Sequence, residues 1–282
     1  MIEASKSYPQ MTVIAPRKSV FNDPAPAGTE YLLIKLHVKS TYADSNVHTV
    51  RPADFSVTGN KLIDYSYAGV VLPTPALSAQ LYTGGDTEGW AAFIVGVGET
   101  QLILIVNEWL NSDESKKRFI ALEDGASLSV DPTLGNIAAT TIGTNRTTPA
   151  PLLQKVITND WEITVLRSVR GAAAWQQIIA ANQFNDPAAT GREYILATVR
   201  ARYIGTTDKS AIIDNYDFKT TGSANVIYSL PGVVVPDPEL SASLYPGGEY
   251  EGLVATQAAQ GETGVMLIFD FSGTNTRFLL LQ

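Results

Sequence analysis

The stretch "LYTGGDTEGW", residues 81–90, returns almost unchanged as "LYPGGEYEGL", residues 244–253. Tyr82 and Tyr245 lie 163 positions apart, and at that offset the chain matches itself without a gap over residues 21–105. "FNDPAPAGTEY" from Phe21 falls on "FNDPAATGREY" from Phe184, and "GVVLPTPALSAQLY" from Gly69 falls on "GVVVPDPELSASLY" from Gly232. Shorter pairs follow the same spacing. Asp54-Phe55 lies over Asp217-Phe218, Thr58-Gly59 over Thr221-Gly222, Tyr65-Ser66 over Tyr228-Ser229, and the "GET" at Gly98 over the "GET" at Gly261. Further on, "RFIAL" from Arg118 matches "RFLLL" from Arg277 after a small deletion in the second copy. Solenoid units are much shorter than this period, so the chain is a duplicated domain. The expected organisation is a first domain over residues 1–130, a linker over 131–156 and a second domain over 157–282. The linker assignment rests on composition: "DPTLGNIAATTIGTNRTTPAPLLQKV" is rich in Thr, Pro, Gly and Asn and has no amphipathic period.

Within each copy the periodicity is that of β-structure. In "YLLIKLHVKS", Leu32, Ile34, Leu36 and Val38 alternate with Lys35, His37 and Lys39. In "YILATVRARY", Ile195, Ala197, Val199 and Ala201 alternate with Thr198, Arg200 and Arg202. One apolar face at period two defines a half-buried strand of an antiparallel sheet. Short strand candidates recur around Phe55, Tyr65, Leu81, Trp90, Leu102 and Phe119, separated by turn residues. The expected fold class is therefore all-β, as two tandem immunoglobulin-like antiparallel β-sandwiches. One segment departs from it. "AAAWQQIIAAN", residues 172–182, is Ala-rich, free of Gly and Pro, and sets Trp175, Ile178, Ile179 and Asn182 at helical spacing. It predicts a short helix added to the second domain and docked through Trp175.

The repeated stretch reads first as a turn. In "YPGG" proline fixes φ at one corner and glycine supplies a positive φ at the next; in the first copy Thr83 replaces Pro246 and both glycines remain. Its acids, Asp86 with Glu88 and Glu249 with Glu251, also admit a calcium reading as oxygen ligands; in a second reading Asp23, Glu30 and Glu88 gather into an acidic cluster, with Asp186, Glu193 and Glu251 as their twins in the second copy. Calcium takes six or more oxygens, which two carboxylates do not supply, and the same acids read equally as solvated turn residues. In "FNDP", Asn and Asp before proline predict an Asx-turn, with Phe21 and Phe184 plugging the end of each sandwich. Tyr82, Trp90, Tyr245 and Tyr250 are candidates for a stacking platform for a sugar or an anchor patch for a protein, against the alternative that they fill the core.

Composition narrows the function classes. The 282 residues carry a net charge of −8 with no basic cluster, which argues against nucleic acid and anionic membrane surfaces as partners. There is no cysteine, so disulfides, thiolate metal sites and a cysteine nucleophile are excluded. His37 and His48 are the two histidines, and neither belongs to a nucleophile elbow or a paired metal motif. An enzyme is not expected, nor is a cofactor apart from the calcium just described. No apolar run is long enough to insert in a membrane. "MIEASKSYPQ" lacks the apolar core of a signal peptide. Read as a native start it indicates a cytoplasmic protein; read as a chain whose leader is gone it fits the envelope.

The residues quoted above, "FNDPAPAGTEYLLIKLHVK", the "DF" strand start, "LYTGGDTEGWAAFIV" and the closing "LILIV", resemble the immunoglobulin-like modules called domain of unknown function 4352. "VRGAAAWQQIIAANQFNDP" in the second copy resembles the fuller lead-in of such modules. The resemblance covers both copies and implies a sandwich fold in a bacterial secreted protein or lipoprotein, extracellular or in the cell envelope. It implies no catalytic residue. The expected role is a binding or interaction module for a protein or glycan partner; the alternative is a calcium-stabilised adhesive or carbohydrate-binding module.

Overall fold

In a computed structural model, residues 2–3, 22–107 and 117–281 are described below. The chain divides into two compact units, Met1–Leu128 and Ser129–Gln282. The described residues are mostly β, with antiparallel sheets and one α-helix among them.

Unit 1 contains β1 (Ile2–Glu3), β2 (Thr29–Lys39), β3 (His48–Val50), β4 (Phe55–Thr58), β5 (Tyr65–Ser66), β6 (Ala79–Leu81), β7 (Asp86–Gly96), β8 (Ile103–Val106) and β9 (Arg118–Ala121). They form sheets ordered β1-β2-β7 and β5-β4-β8-β9 with a ribbon β3-β6. The alternation read from the sequence sets the core. Leu32, Ile34, Leu36 and Val38 of β2 and Ala91, Phe93 and Val95 of β7 face Phe55 and Val57 of β4 and Leu104 and Val106 of β8. Two sheets thus close on one apolar layer, the arrangement that period-two strands require.

Unit 2 repeats this with β10 (Val156–Ile157), β11 (Trp161–Arg170), α1 (Ala172–Ala181), β12 (Arg192–Tyr203), β13 (Ala211–Asp214), β14 (Phe218–Thr221), β15 (Ser241–Leu244), β16 (Glu249–Ala259), β17 (Met266–Phe269) and β18 (Arg277–Leu280). Its sheets run β10-β11-β12-β16 and β14-β17-β18, with a ribbon β13-β15. The helix stands where its spacing places it, but its anchors are Ala174 and Ile178, both fully buried. Trp175 lies at the rim of this contact, its ring 6.0 Å from that of Tyr194. Because α1 covers the first half of β12, Tyr194 and Leu196 are buried on the face that period two assigns to solvent; Thr198, which accepts from Arg167 Nε at 3.1 Å, is buried there too, and only Arg200 and Arg202 keep the alternation.

Three local expectations are corrected. Residues 131–156 are not a free linker but belong to unit 2: Leu134, Ala150 and Val156 are buried, and β10 pairs with β11. These single apolar residues have no period, so the Thr/Pro/Gly composition around them conceals their burial. Phe184 does not plug the sandwich; it is 83% exposed, and Phe21 lies outside the described residues. The asparagine of "FNDP" does not close an Asx-turn. Asn22 Nδ2 donates to Val71 O (3.1 Å) and Asn22 Oδ1 accepts from Val71 N (2.8 Å), while Asn185 makes the same pair with Val234 at 2.9 and 2.8 Å. In each copy one side-chain amide meets a backbone donor and acceptor at once, joining two repeated segments, "FNDP" and "GVV", and in unit 2 that amide is buried. Asn185 also donates to Ile178 O at the end of α1. Asn185→Ala removes all three bonds, and a loss of about 2–3 kcal/mol is expected in urea unfolding.

Candidate functional site

The repeated stretch is a turn in both units. Gly85 N–H donates to Tyr82 O at 3.0 Å and Gly248 N–H to Tyr245 O at 2.8 Å, and the glycine at the third position has φ of 82° in one copy and 94° in the other. A positive φ there is the type II signature that the two glycines predict. The turn is held by the end of the neighbouring strand. Gly84 N–H donates to Ser40 O and Ser40 N–H to Gly85 O; Tyr203 makes both bonds to Gly247 and Gly248 in unit 2. The last glycine of the motif has a different cause. A Cβ on Gly89 would lie 2.5 Å from Leu77 N, and one on Gly252 would lie 2.5 Å from Leu240 N. At these points the "Pro-x-Leu" segment crosses the strand, with Leu77 N–H donating to Trp90 O and Trp90 N–H to Pro75 O.

The acids do not converge. Strand register pairs Glu30 with Val95 and His37 with Glu88, so Glu30 and Glu88 stand seven residues apart along β2, about 23 Å at strand rise. Each has its own partner. Glu88 pairs with Lys35, and Glu251 accepts from Arg200 Nη2 at 3.0 Å. Glu30 caps Gly98 N–H at 3.1 Å, and Glu193 accepts from Gly261 N–H at 2.8 Å and from Arg170. Burial raises the pKa of Glu193, but the Arg170 and Gly261 hydrogen bonds outweigh it and hold the carboxyl below its ordinary value. Asp23 and Asp186 contribute backbone carbonyls to Tyr31 OH and Tyr194 OH. Among the described residues no group of three or more acids or histidines is placed to hold a metal ion. The expected acidic cluster, Asp23, Glu30 and Glu88 in one copy and Asp186, Glu193 and Glu251 in the other, is thereby corrected: the acids spread along the sheet, where Glu88, Glu193 and Glu251 meet cations and Glu30 caps a backbone N–H.

A pair of carboxylates that the sequence did not single out is buried instead. Glu99 Oε1 accepts from Lys61 N–H at 2.7 Å, and its Oε2 accepts from Tyr65 OH at 2.9 Å. Glu262 accepts from Ala224 N–H at 2.9 Å, from Ala259 N–H at 3.3 Å and from Tyr228 OH. Gly59 and Gly222 leave room for these carboxyls, since a Cβ at either position would collide with them. Burial pushes the Glu262 pKa up, but the bonds from Tyr228, Ala224 and Ala259 and the Arg192 charge outweigh it, so the carboxyl stays below its usual range. Burial and Glu262 push the Tyr228 phenol up. The signal was present in the sequence: "TG", "YS" and "GET" are all repeated, and in each unit the three meet at this carboxylate.

The four aromatic candidates separate. Tyr245 is 3% exposed and Tyr82 is 64% exposed. Trp90 and Tyr250 are half-buried, and burial beside Asp237 and Glu239 raises the Tyr250 phenol pKa. Tyr82 alone faces solvent, and it has company. The His48 ring stacks on the Tyr42 ring at 3.7 Å and 5°, and His48 Nε2 meets Asp44 Oδ1 at 2.8 Å. That bond, and one from Asn46 N–H, hold the Asp44 carboxyl below its usual pKa. The Thr83 hydroxyl lies 2.8 Å from Tyr42 O and 2.6 Å from Asp44 O, which ties the 42–44 loop to the turn. His48 pairs with Leu81, so exposed Val47 and Tyr82 follow one position beyond. At the matching positions unit 2 has Gly205, Thr207 and Ala211 for Tyr42, Asp44 and His48. This aromatic end therefore belongs to unit 1. Tyr82→Ala is expected to change stability by less than about 0.5 kcal/mol, whereas Tyr245→Ala in the enclosed twin costs about 3–4 kcal/mol in the same unfolding experiment.

No protein-family model and no curated protein matches the chain. Among solved structures, it is similar to the ycdA protein of Bacillus subtilis, described as a candidate lipoprotein, at 9% identity and a TM-score of 0.32, covering 41% of this chain and 32% of that one. The chain thus spans about a third of that protein. It is also similar to an uncharacterized β-sandwich protein of Clostridium difficile at 15% identity and a TM-score of 0.30, covering 48% of this chain and 95% of that one.

Proposed function

We propose that the chain is a non-enzymatic binding module of the bacterial cell envelope or of secreted proteins, built as tandem immunoglobulin-like units, with its recognition surface at one end of unit 1. The observation that carries this reading is the difference between the twins: one turn is enclosed in unit 2, and in unit 1 it displays Tyr42, Val47 and Tyr82 together. Tyrosines offer a large amphipathic contact area with few rotors to immobilise, and loops at a sandwich end are free to vary on a fixed frame. The resemblance of both copies to the secreted and lipoprotein modules supports the envelope setting. A protein partner is the first reading. The coplanar Tyr42–His48 pair beside Tyr82 also favours a second, a glycan stacked on the rings.

The test presents immobilised chain to envelope proteins and to an oligosaccharide array. Saturable protein binding that Tyr82→Ala and Tyr42→Ala each weaken by about tenfold, with the fold unchanged, supports the first reading. Binding confined to oligosaccharides moves it to the second. Binding that neither substitution alters overturns the assignment of the surface, and a catalytic activity abolished by one side-chain change overturns the non-enzymatic role.

A further inference from the structure

The chain has two histidines, His37 and His48, and each meets an aspartate beside the repeated turn of unit 1. His37 Nε2 lies 2.8 Å from Oδ2 of Asp86, the residue that follows the turn. His48 Nε2 lies 2.8 Å from Asp44 Oδ1, and the Asp44 carbonyl lies 2.6 Å from the Thr83 hydroxyl in the turn itself. Unit 2 carries no histidine at either place. Arg200 and Glu249 stand for His37 and Asp86, with Arg200 Nε 3.6 Å from Glu249 Oε1, and Ala211 and Thr207 stand for His48 and Asp44. Arginine stays charged wherever proteins fold, whereas histidine changes charge between about pH 5 and 8. Of the two twin ends, the one that displays Tyr42, Val47 and Tyr82 is the one that holds histidine–aspartate pairs.

The charge on His48 acts on two contacts at once. An imidazolium gives the Asp44 carboxylate a stronger bond than a neutral ring does. It also lies as a cation over the Tyr42 face, with the ring centroids 3.7 Å apart and the planes at 5°. Both contacts hold the loop that leads into β3. Leu81 faces His48 from β6, and Tyr42 is the other titratable side chain against its ring; phenols ordinarily titrate near pH 10, outside this range. Across the turn, β2 and β7 carry Lys35, His37, Lys39, Asp86 and Glu88, among which His37 bonds to Asp86 in the same manner. The His48 bond is the main cause that holds the Asp44 carboxyl below its ordinary range, so it is an anion wherever histidine changes charge. The sign follows. The His48 contribution is full in mild acid and is lost as pH rises through the histidine range, while that of Asp44 is lost only as pH falls through its lowered value.

We infer that the Tyr42–Tyr82 end of unit 1 is a pH-responsive surface, on which protonated His48 fixes the Tyr42 ring and its loop and neutral His48 loosens them. This rests on the reading of that end as the recognition surface and adds its regulation. A ring that is already fixed binds without the cost of ordering it, so the surface holds its partner best in mild acid. The His48 and Asp44 side chains are 23% and 41% exposed, which keeps the effect to a few-fold. The duplication carries the argument: the same turn on the same frame has lost both histidines where its tyrosine is enclosed, and has both where its tyrosine is displayed.

The test uses the full chain without a partner, so its outcome is separate from that of the binding experiment above. Asn46 N–H donates to the same Asp44 oxygen at 3.0 Å and reports the state of the loop. Its hydrogen-exchange protection is measured at about pH 5.5 and about pH 8, after correction for the pH dependence of intrinsic exchange. The expected result is protection about threefold higher in acid, with the amides of β2 and β7 unchanged. His48→Gln, which has no charge to gain, is expected to show the same protection at both pH values. Equal protection in the parent overturns the inference. A difference that His48→Gln retains assigns the effect to another group and overturns it as well. Protection that changes throughout β2 and β7 reports the stability of the whole unit instead of this end, and overturns it too.

Discussion

Gly252→Ala is expected to unfold unit 2 at urea concentrations where the parent is native, or to prevent its folding altogether. The methyl group would lie 2.5 Å from Leu240 N, 2.6 Å from Leu240 Cα and 2.7 Å from Glu239 C. All three are backbone atoms, so no side-chain rotation relieves the clash. The crossing segment is itself fixed from both sides, with Leu240 N–H donating to Leu253 O at 2.9 Å and Leu253 N–H to Pro238 O at 2.7 Å. Separating them forfeits these bonds and opens the core beside Leu240, for a cost of about 3 kcal/mol or more. That is a large share of the roughly 5–15 kcal/mol that stabilises an ordinary domain. Gly232→Ala is the control, because nothing lies within 4 Å of its Cβ; it is expected to be neutral or slightly stabilising. Gly89→Ala should repeat the effect in unit 1, where the contact to Leu77 N is also 2.5 Å.

Glu262→Ala is the second large effect. It leaves Tyr228 OH and the N–H groups of Ala224 and Ala259 without their shared acceptor in a buried site, at a cost of about 3–5 kcal/mol. Glu262→Gln retains one acceptor oxygen and is expected to cost less. The pH dependence has a definite sign. The folded-state pKa of Glu262 is depressed, so its contribution is fully present above the unfolded value of about 4.3 and is lost as pH falls through the lower folded value. Unit 2 of the parent should therefore lose stability on acidification below about pH 4.3, and the Gln variant should lose less over the same range. Tyr228 acts at the other end. Its phenol pKa is raised, so its contribution is intact below the unfolded value of about 10 and disappears as pH climbs through the folded one. Urea midpoints measured across pH for both proteins check the two limbs.

The duplication and the strands were legible because each is a pattern along the chain. Leu32, Ile34, Leu36 and Val38 declare a buried face by spacing alone, and the four sit in the core. What the sequence obscured depends on contacts across it. Glu99 and Glu262 look like loop acids in "GET", and only folding carries them to Tyr65 and Tyr228, 34 residues away. The calcium cluster failed for the converse reason: Glu30 and Glu88 are close in type and far apart in register. Tyr82 and Tyr245 occupy the same turn, so the motif itself cannot separate an exposed ring from an enclosed one. Their surroundings decide, and those differ at Tyr42, Asp44 and His48 against Gly205, Thr207 and Ala211. Asn22 and Asn185 show the same limit, because a residue suited to a local turn was used for a bond spanning 49 positions.

The repeated segments therefore bond to one another: "FNDP" to "GVV", "TG" and "YS" to "GET", and the motif's last glycine to "Pro-x-Leu". This makes the Leu-Tyr-x-Gly-Gly-acid-x-Glu-Gly stretch a piece of scaffold, and its acids partners of the cations on the next strand. The most direct test is a thermal melt, in chelator and then in millimolar calcium, of the parent and of a variant carrying Asp86→Asn, Glu88→Gln, Glu249→Gln and Glu251→Gln. A metal bound only by the folded state would raise stability by RT ln(1 + [L]/Kd). The account predicts that calcium leaves both melts unchanged, and that the four neutralisations together cost about 1–2 kcal/mol, the sum of exposed ion pairs. A calcium-dependent rise in the parent that the variant lacks would contradict it and make the repeated stretch a metal site.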